Sequence, residues 1–133
     1  MRGMPRIVAP FTITPRPTEP AGEASPVVGR ITFDKVFAGS DLVGTSVVEF
    51  VSVGTDAGPL AYVALERVEG QLDGRAGAFV LRHVGTITAT GPVLDLTVVD
   101  GSATGELAGM TGRGSIEHNS SGARLELDYA LNR

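Results

Sequence analysis

The chain has 133 residues, 18 glycines, no cysteine and a formal charge of −4 with its Lys and Arg scattered. That length suits a single domain with a real core spanning 1–133, and the charge excludes the clustered basic surface that nucleic acid requires. The missing cysteines exclude disulfides and thiolate sites and fit a reducing cytoplasm, and no apolar run approaches the roughly 20 residues of a membrane span.

In chain order, "RIVAPFTIT" (6–14) reads as a first strand. The N-terminal residues around it lack an apolar stretch long enough for a secretory signal, which supports a cytoplasmic setting. Six of the eight prolines fall in the first 26 residues, and "PRPTEPAGEASPV" (15–27) cannot hold a ladder, because proline lacks the donor. It is expected to be an ordered loop lying over one end of the fold as a lid. Strand-like runs then recur at 27–39, 42–54, 60–72, 75–87, 92–100, 103–109, 112–118 and 123–132, separated by short Gly-, Asp-, Ser- and Thr-containing turns. Short strands on short connections make antiparallel neighbours in a meander. So many strands in one small all-β domain leave costly open edges unless the sheet closes. A closed, up-and-down, eight-stranded antiparallel β-barrel is therefore expected, with a two-sheet sandwich as the alternative.

The period of two assigns faces. Leu125, Leu127, Tyr129 and Leu131 oppose Glu126 and Asp128; Leu94, Leu96 and Val98 oppose Asp95 and Thr97. Ile31, Phe33 and Phe37 oppose Thr32 and Asp34, with Lys35 out of pattern. In "YVALERVEGQLDGRAGAFVLRHVG" (62–85), Tyr62, Ala64, Glu66 and Val68 share a face with Phe79, Leu81, His83 and Gly85. A two-residue Asp73-Gly74 turn pairs Glu66 with Leu81 and Ala64 with His83, whereas a four-residue loop pairs Glu66 with His83 directly. Both keep the carboxylate and the imidazole on the apolar face, since a one-residue slip would expel Phe79 and Leu81. "LVGTSVVEFVSV" (42–53) is apolar on both faces, which leaves Glu49 unassigned and makes a homodimer through exposed Val-rich strands plausible.

Tyr62, Glu66, His83 and Tyr129 then project into a lumen walled by Phe33, Phe79, Leu81 and Leu127 among other apolar side chains. A buried carboxylate needs a partner or a shifted pKa, and a Glu beside a His is a general acid/base pair suited to neutral pH. The competing structural reading makes Glu66 and His83 an internal brace, or pairs Glu66 with Arg67 or Lys35 at a rim. Glu106 fits either the rim of the mouth or, as its glycine neighbours favour, a solvated turn. His118 has no metal-ligand spacing with His83, so neither a metal nor a cofactor is expected. The Gly-rich 101–114 stretch lacks the ending of a phosphate loop, and its glycines suit tight turns and bulges.

The runs "ALERVEGQLDGRAGAFVLRHVGTI" (64–87) and "GSATGELAGMTGRG" (101–114), with "APFTITPRP" and "LELDYAL" at the two ends, resemble a family of small bacterial proteins of unknown function. The resemblance runs from about Ala9 to Leu131 and departs from the family pattern at Ala64 and Arg82, touching neither Glu66 nor His83. It implies an eight-stranded barrel similar to allene oxide cyclase, a relative of the lipocalin-like barrels. Some bacterial barrels of that broader kind are cofactor-free cyclases of natural-product pathways, pericyclic [4+2] closures included. Three functions follow as expectations. One is a cofactor-independent isomerase or cyclase acting on a small hydrophobic substrate, with Glu66 and His83 catalytic. The second is a lipocalin-like binding protein for a small hydrophobic ligand, and the third a structural protein with a filled lumen.

Overall fold

The computed structural model describes residues 5–17 and 25–131. Among these described residues nine strands follow one another: β1 (Arg6–Pro15), β2 (Val27–Ala38), β3 (Leu42–Thr55), β4 (Gly58–Leu72), β5 (Arg75–Thr88), β6 (Gly91–Val98), β7 (Thr104–Gly105), β8 (Met110–Asn119) and β9 (Gly122–Leu131). All pairings are antiparallel, in the order β4-β3-β2-β1-β9-β8-β6-β5, and β5 pairs back onto β4. The sheet is thus a closed eight-stranded barrel, and the alternating runs of the sequence are its staves. No helix among the described residues is long and apolar enough to cross a membrane.

The expected strand at 103–109 shrinks to the two-residue β7, which pairs with Gly77 and Ala78 of β5. Gly105 (φ 64°) and Gly109 (φ 84°) occupy the left-handed region and turn the chain back before a ladder can extend. The excursion drops Leu107, 1% exposed, into the end of the barrel. It also leaves β6 and β8 paired only through Leu96–Gly114 and Thr97–Arg113, the shortest ladder of the barrel wall.

The β4–β5 hairpin closes on two residues. Asp73 (φ 48°) and Gly74 (φ 80°) both take positive φ, the geometry of the primed turns whose twist matches paired strands. Hence Val68 faces Phe79, Glu66 faces Leu81 and Ala64 faces His83. Lys35 keeps step with Ile31, Phe33 and Phe37 and points inward, buried, while Asp34 on the opposite face holds Arg16 in a two-pronged ion pair. Outside, Val51, Val63 and Val84 form one cross-strand row, the kind of exposed face on which the homodimer expectation rests.

The interior has two unlike halves. At one end Phe37, Leu42, Leu72, Phe79, Leu107, Met110 and Tyr129 are all buried and pack solidly, with the Tyr129 hydroxyl donating to Asp73 at the hairpin tip. At the other end Phe33, Phe50 and Tyr62 are only partly covered. The Pro-rich segment leaves the barrel there: Pro15 pairs with Phe33, and the Arg16 N–H donates to the Thr32 carbonyl. Residues 18–24, the middle of the expected lid, lie outside the described residues.

Candidate functional site

Four polar side chains meet inside the barrel. Glu66 on β4 is 1% exposed, and its Oε1 accepts from Lys35 Nζ at 3.2 Å and from His83 Nε2 at 2.9 Å. Its other oxygen accepts from the Ser46 hydroxyl at 2.6 Å. The four reach one point because β2, β3, β4 and β5 are consecutive staves and each side chain is at an inward position of its strand. Lys35 pairs with Ser46 across β2–β3, and His83 lies one inward step diagonally from Glu66 across β4–β5.

Burial by itself resists ionisation of Glu66. The His83 hydrogen bond, the Lys35 charge and the Ser46 hydroxyl outweigh it and hold the carboxyl below its usual range. Glu66 is therefore an anion, which accepts hydrogen bonds only. That fixes the imidazole: its Nε2 carries the proton given to Glu66, and its Nδ1 meets no hydrogen-bonding partner among the described residues. The Lys35 ammonium also sits over the Phe11 ring, 4.2 Å from its centroid, so its inner side is satisfied by a carboxylate and a π-face.

Above this cluster, in the less filled half, is a cavity of about 170 Å³. Its walls are mostly apolar (Phe33, Val48 and Phe50 among them), and Tyr62, Lys35, His83 and His118 are its polar members. Ile13 and His118, both exposed, belong to its rim, so the cavity opens at that end of the barrel. The Tyr62 ring stacks on Phe50 at 4.7 Å, and Phe50 meets Phe33 edge-on at 5.6 Å. Tyr62 also lies across Gly85 of β5, in the space where any Cβ would be. Glu66 is not a wall. It stands behind Lys35 and His83 and presents them to the cavity.

Of the residues singled out from sequence, the fold joins Glu66 to His83 and places Phe33, Tyr62 and His83 at the cavity. Phe79, Leu81, Leu127 and Tyr129 face the interior but fill the barrel away from the cavity walls. Lys35 does pair with Glu66, in the interior and not at a rim; Arg67 instead pairs outside with Glu69. Glu49 is exposed and accepts from Thr32, and exposed Glu106 accepts from the Ala76 N–H. Lys35, Ser46 and His118 were not among the expected site residues. For Lys35 and His118 the signal was strand parity: Lys35 is in step with Phe33 and Phe37, and His118 with Ile116. Among the described residues no group of three or more His, Asp or Glu could hold a metal ion.

The family model for proteins of unknown function, DUF3224, matches residues 7–130. The chain belongs to the DUF3224 family. A solved structure of a DUF3224 protein of unknown function from Shewanella oneidensis MR-1 is similar to it over 98% of both chains, with 34% identity and a TM-score of 0.84. No functionally curated protein matches the chain. The family that the central motifs resemble, and the closed barrel they imply, are thus both present.

Proposed function

We propose that this DUF3224 barrel is a cofactor-independent isomerase or cyclase that takes a small hydrophobic, carbonyl-bearing substrate into its open half. One observation carries the reading: His83 lines an apolar cavity, gives one ring nitrogen to an ionised, buried Glu66 and has no partner for the other among the described residues. An imidazole so oriented has a fixed tautomer and a lone pair for a substrate proton, the arrangement of a general base held by a carboxylate. Lys35 supplies positive charge where a carbonyl oxygen gains negative charge as the proton leaves. Glu66 acts as a positioning residue for both. The apolar walls would fold a flexible substrate for reaction and exclude water.

The test is proton exchange at the carbon beside a carbonyl. A small ketone, cyclohexanone, is first shown by NMR to bind in the cavity and is then incubated with the protein in D2O. Exchange faster than in buffer is expected, and His83→Gln, which keeps a donor for Glu66 but has no basic nitrogen, should lower it by on the order of a hundredfold. Exchange at the buffer rate from a bound ketone would overturn the acid–base reading. It would favour the second one, a binding barrel, for which a mostly apolar cavity with a few polar groups is sufficient.

A further inference from the structure

Lys35 is the sole lysine in the sequence; the other ten of its eleven basic Lys and Arg side chains are arginine. That one primary amine on a side chain is 5% exposed and forms part of the wall of the barrel's cavity. Charge alone does not explain the choice. A guanidinium would also pair with Glu66, and does so with carboxylates elsewhere in this chain, as Arg6 with Asp128 and Arg16 with Asp34. A guanidinium cannot give up its proton in the working range of a protein and is no nucleophile, whereas an ammonium can become a reactive amine.

We propose that Lys35 is a covalent site: its Nζ condenses with a small apolar aldehyde or ketone to form an imine. This rests on the reading of the open half as a substrate chamber and extends it from proton transfer to amine chemistry. Glu66 Oε1, 3.2 Å from Nζ, is placed to take the first proton, giving a neutral amine beside a neutral acid. The Nζ lone pair then forms the C–N bond as the carbonyl π pair moves to oxygen. That oxygen collects a proton from Glu66 and the second one displaced from nitrogen, with His83 Nδ1 as carrier, and leaves as water. The balance is Lys–NH3⁺ plus a carbonyl giving a protonated imine plus water. The cation that remains stands where the ammonium stood, facing an ionised Glu66. An apolar chamber favours the loss of water and protects the C=N bond from its return. An engineered apolar cavity of roughly 150 Å³ accepts benzene, so about 170 Å³ fits a single-ring carbonyl compound.

The experiment treats the intact protein at neutral pH with benzaldehyde and cyanoborohydride, which reduces an imine to a stable benzylamine. Peptide mass mapping then compares Lys35 with the chain's α-amino group as internal reference. Lys35 should be benzylated at least tenfold faster in the folded chain than in the same chain unfolded in urea, with the α-amino rate little changed. Protection of Lys35 in the folded chain, with the α-amino group modified normally, overturns the proposal. Benzyl alcohol, which has the ring without the carbonyl, is titrated in parallel by NMR. If it binds in the cavity while Lys35 stays unmodified, the amine proposal fails and the chamber stands; if neither occurs, both fall. Lys35→Arg keeps the charge and should abolish the internal adduct; an adduct that persists inside the barrel in that variant overturns the assignment to Nζ.

Discussion

At the scale of single residues, the energetics of Glu66 are those of a buried anion with two neighbours that need it. Replacing it by Gln removes the counter-ion of the Lys35 ammonium and leaves it a neutral amide oxygen and the Phe11 ring in a largely apolar interior. Breaking such a pair from one side costs about 3 to 5 kcal/mol, whereas replacing both members by uncharged groups of similar size is often near neutral. Urea unfolding should therefore show a large loss for Glu66→Gln and recovery of much of it in Lys35→Met/Glu66→Gln. Equal losses in the two variants would mean that the pair is not what Glu66 holds. The same carboxylate sets the acid limb of stability. Its folded pKa is depressed below the usual carboxylate value, so its contribution is present above the unfolded pKa and is lost as pH falls through the folded one. That acid limb should be blunted in the double variant.

Among the elements, the β4–β5 hairpin is legible in its facing, since both the two-residue turn and the four-residue loop keep Glu66 and His83 inward, and the structure takes the two-residue turn. An Asp-Gly pair tolerates the two positive-φ positions of a two-residue turn, and the apolar face then fixes register through Phe79 and Leu81. What the sequence did not announce is the use of Gly85. Alternation alone reads it as a blank in the inward row; in the barrel it is the seat of the Tyr62 ring. Gly85→Ala should force that ring off Phe50 and cost on the order of 1 to 3 kcal/mol through overpacking. The ring-current shifts of Phe50 and the urea midpoint report both effects, and an alanine variant with both unchanged would show that Tyr62 does not need the gap. The stretch 103–109 is ambiguous for a related reason. Its alternation resembles a strand while its glycines suit tight turns, and in the barrel Gly105 and Gly109 take the turn conformations.

Over the whole molecule, the number of short alternating strands argued for closure, and the barrel is closed. Its division into a filled end and an open end was not legible, because it depends on side chains that meet from staves far apart in sequence. Leu107, Met110 and Tyr129 fill one half, while small or edge-on groups leave space in the other. Lys35 is out of pattern by its charge alone; its strand parity is that of the core. The filled end has its own titration. Burial, the hydrogen bond to Asp73 and the charge of Asp73 push the Tyr129 phenol up to about 12 from 10. Because the folded value is raised, this contribution to stability is intact below about pH 10 and declines as pH rises through the folded pKa. Absorbance titration of tyrosinate should show a late component near 12 that Tyr129→Phe removes, and a wild-type curve complete near 10 would contradict the packing described for that end.

The central claim is that the open half of the barrel is a ligand chamber with Lys35 and His83 among its walls. Methyl-resolved NMR during titration with benzyl alcohol tests it most directly. Saturable shifts should appear at Ile13, Val48 and Ile116 around the cavity, with the Leu72, Leu107 and Met110 methyls of the filled half unmoved. Shifts absent throughout, or confined to the outer Val51, Val63 and Val84 row, would contradict it.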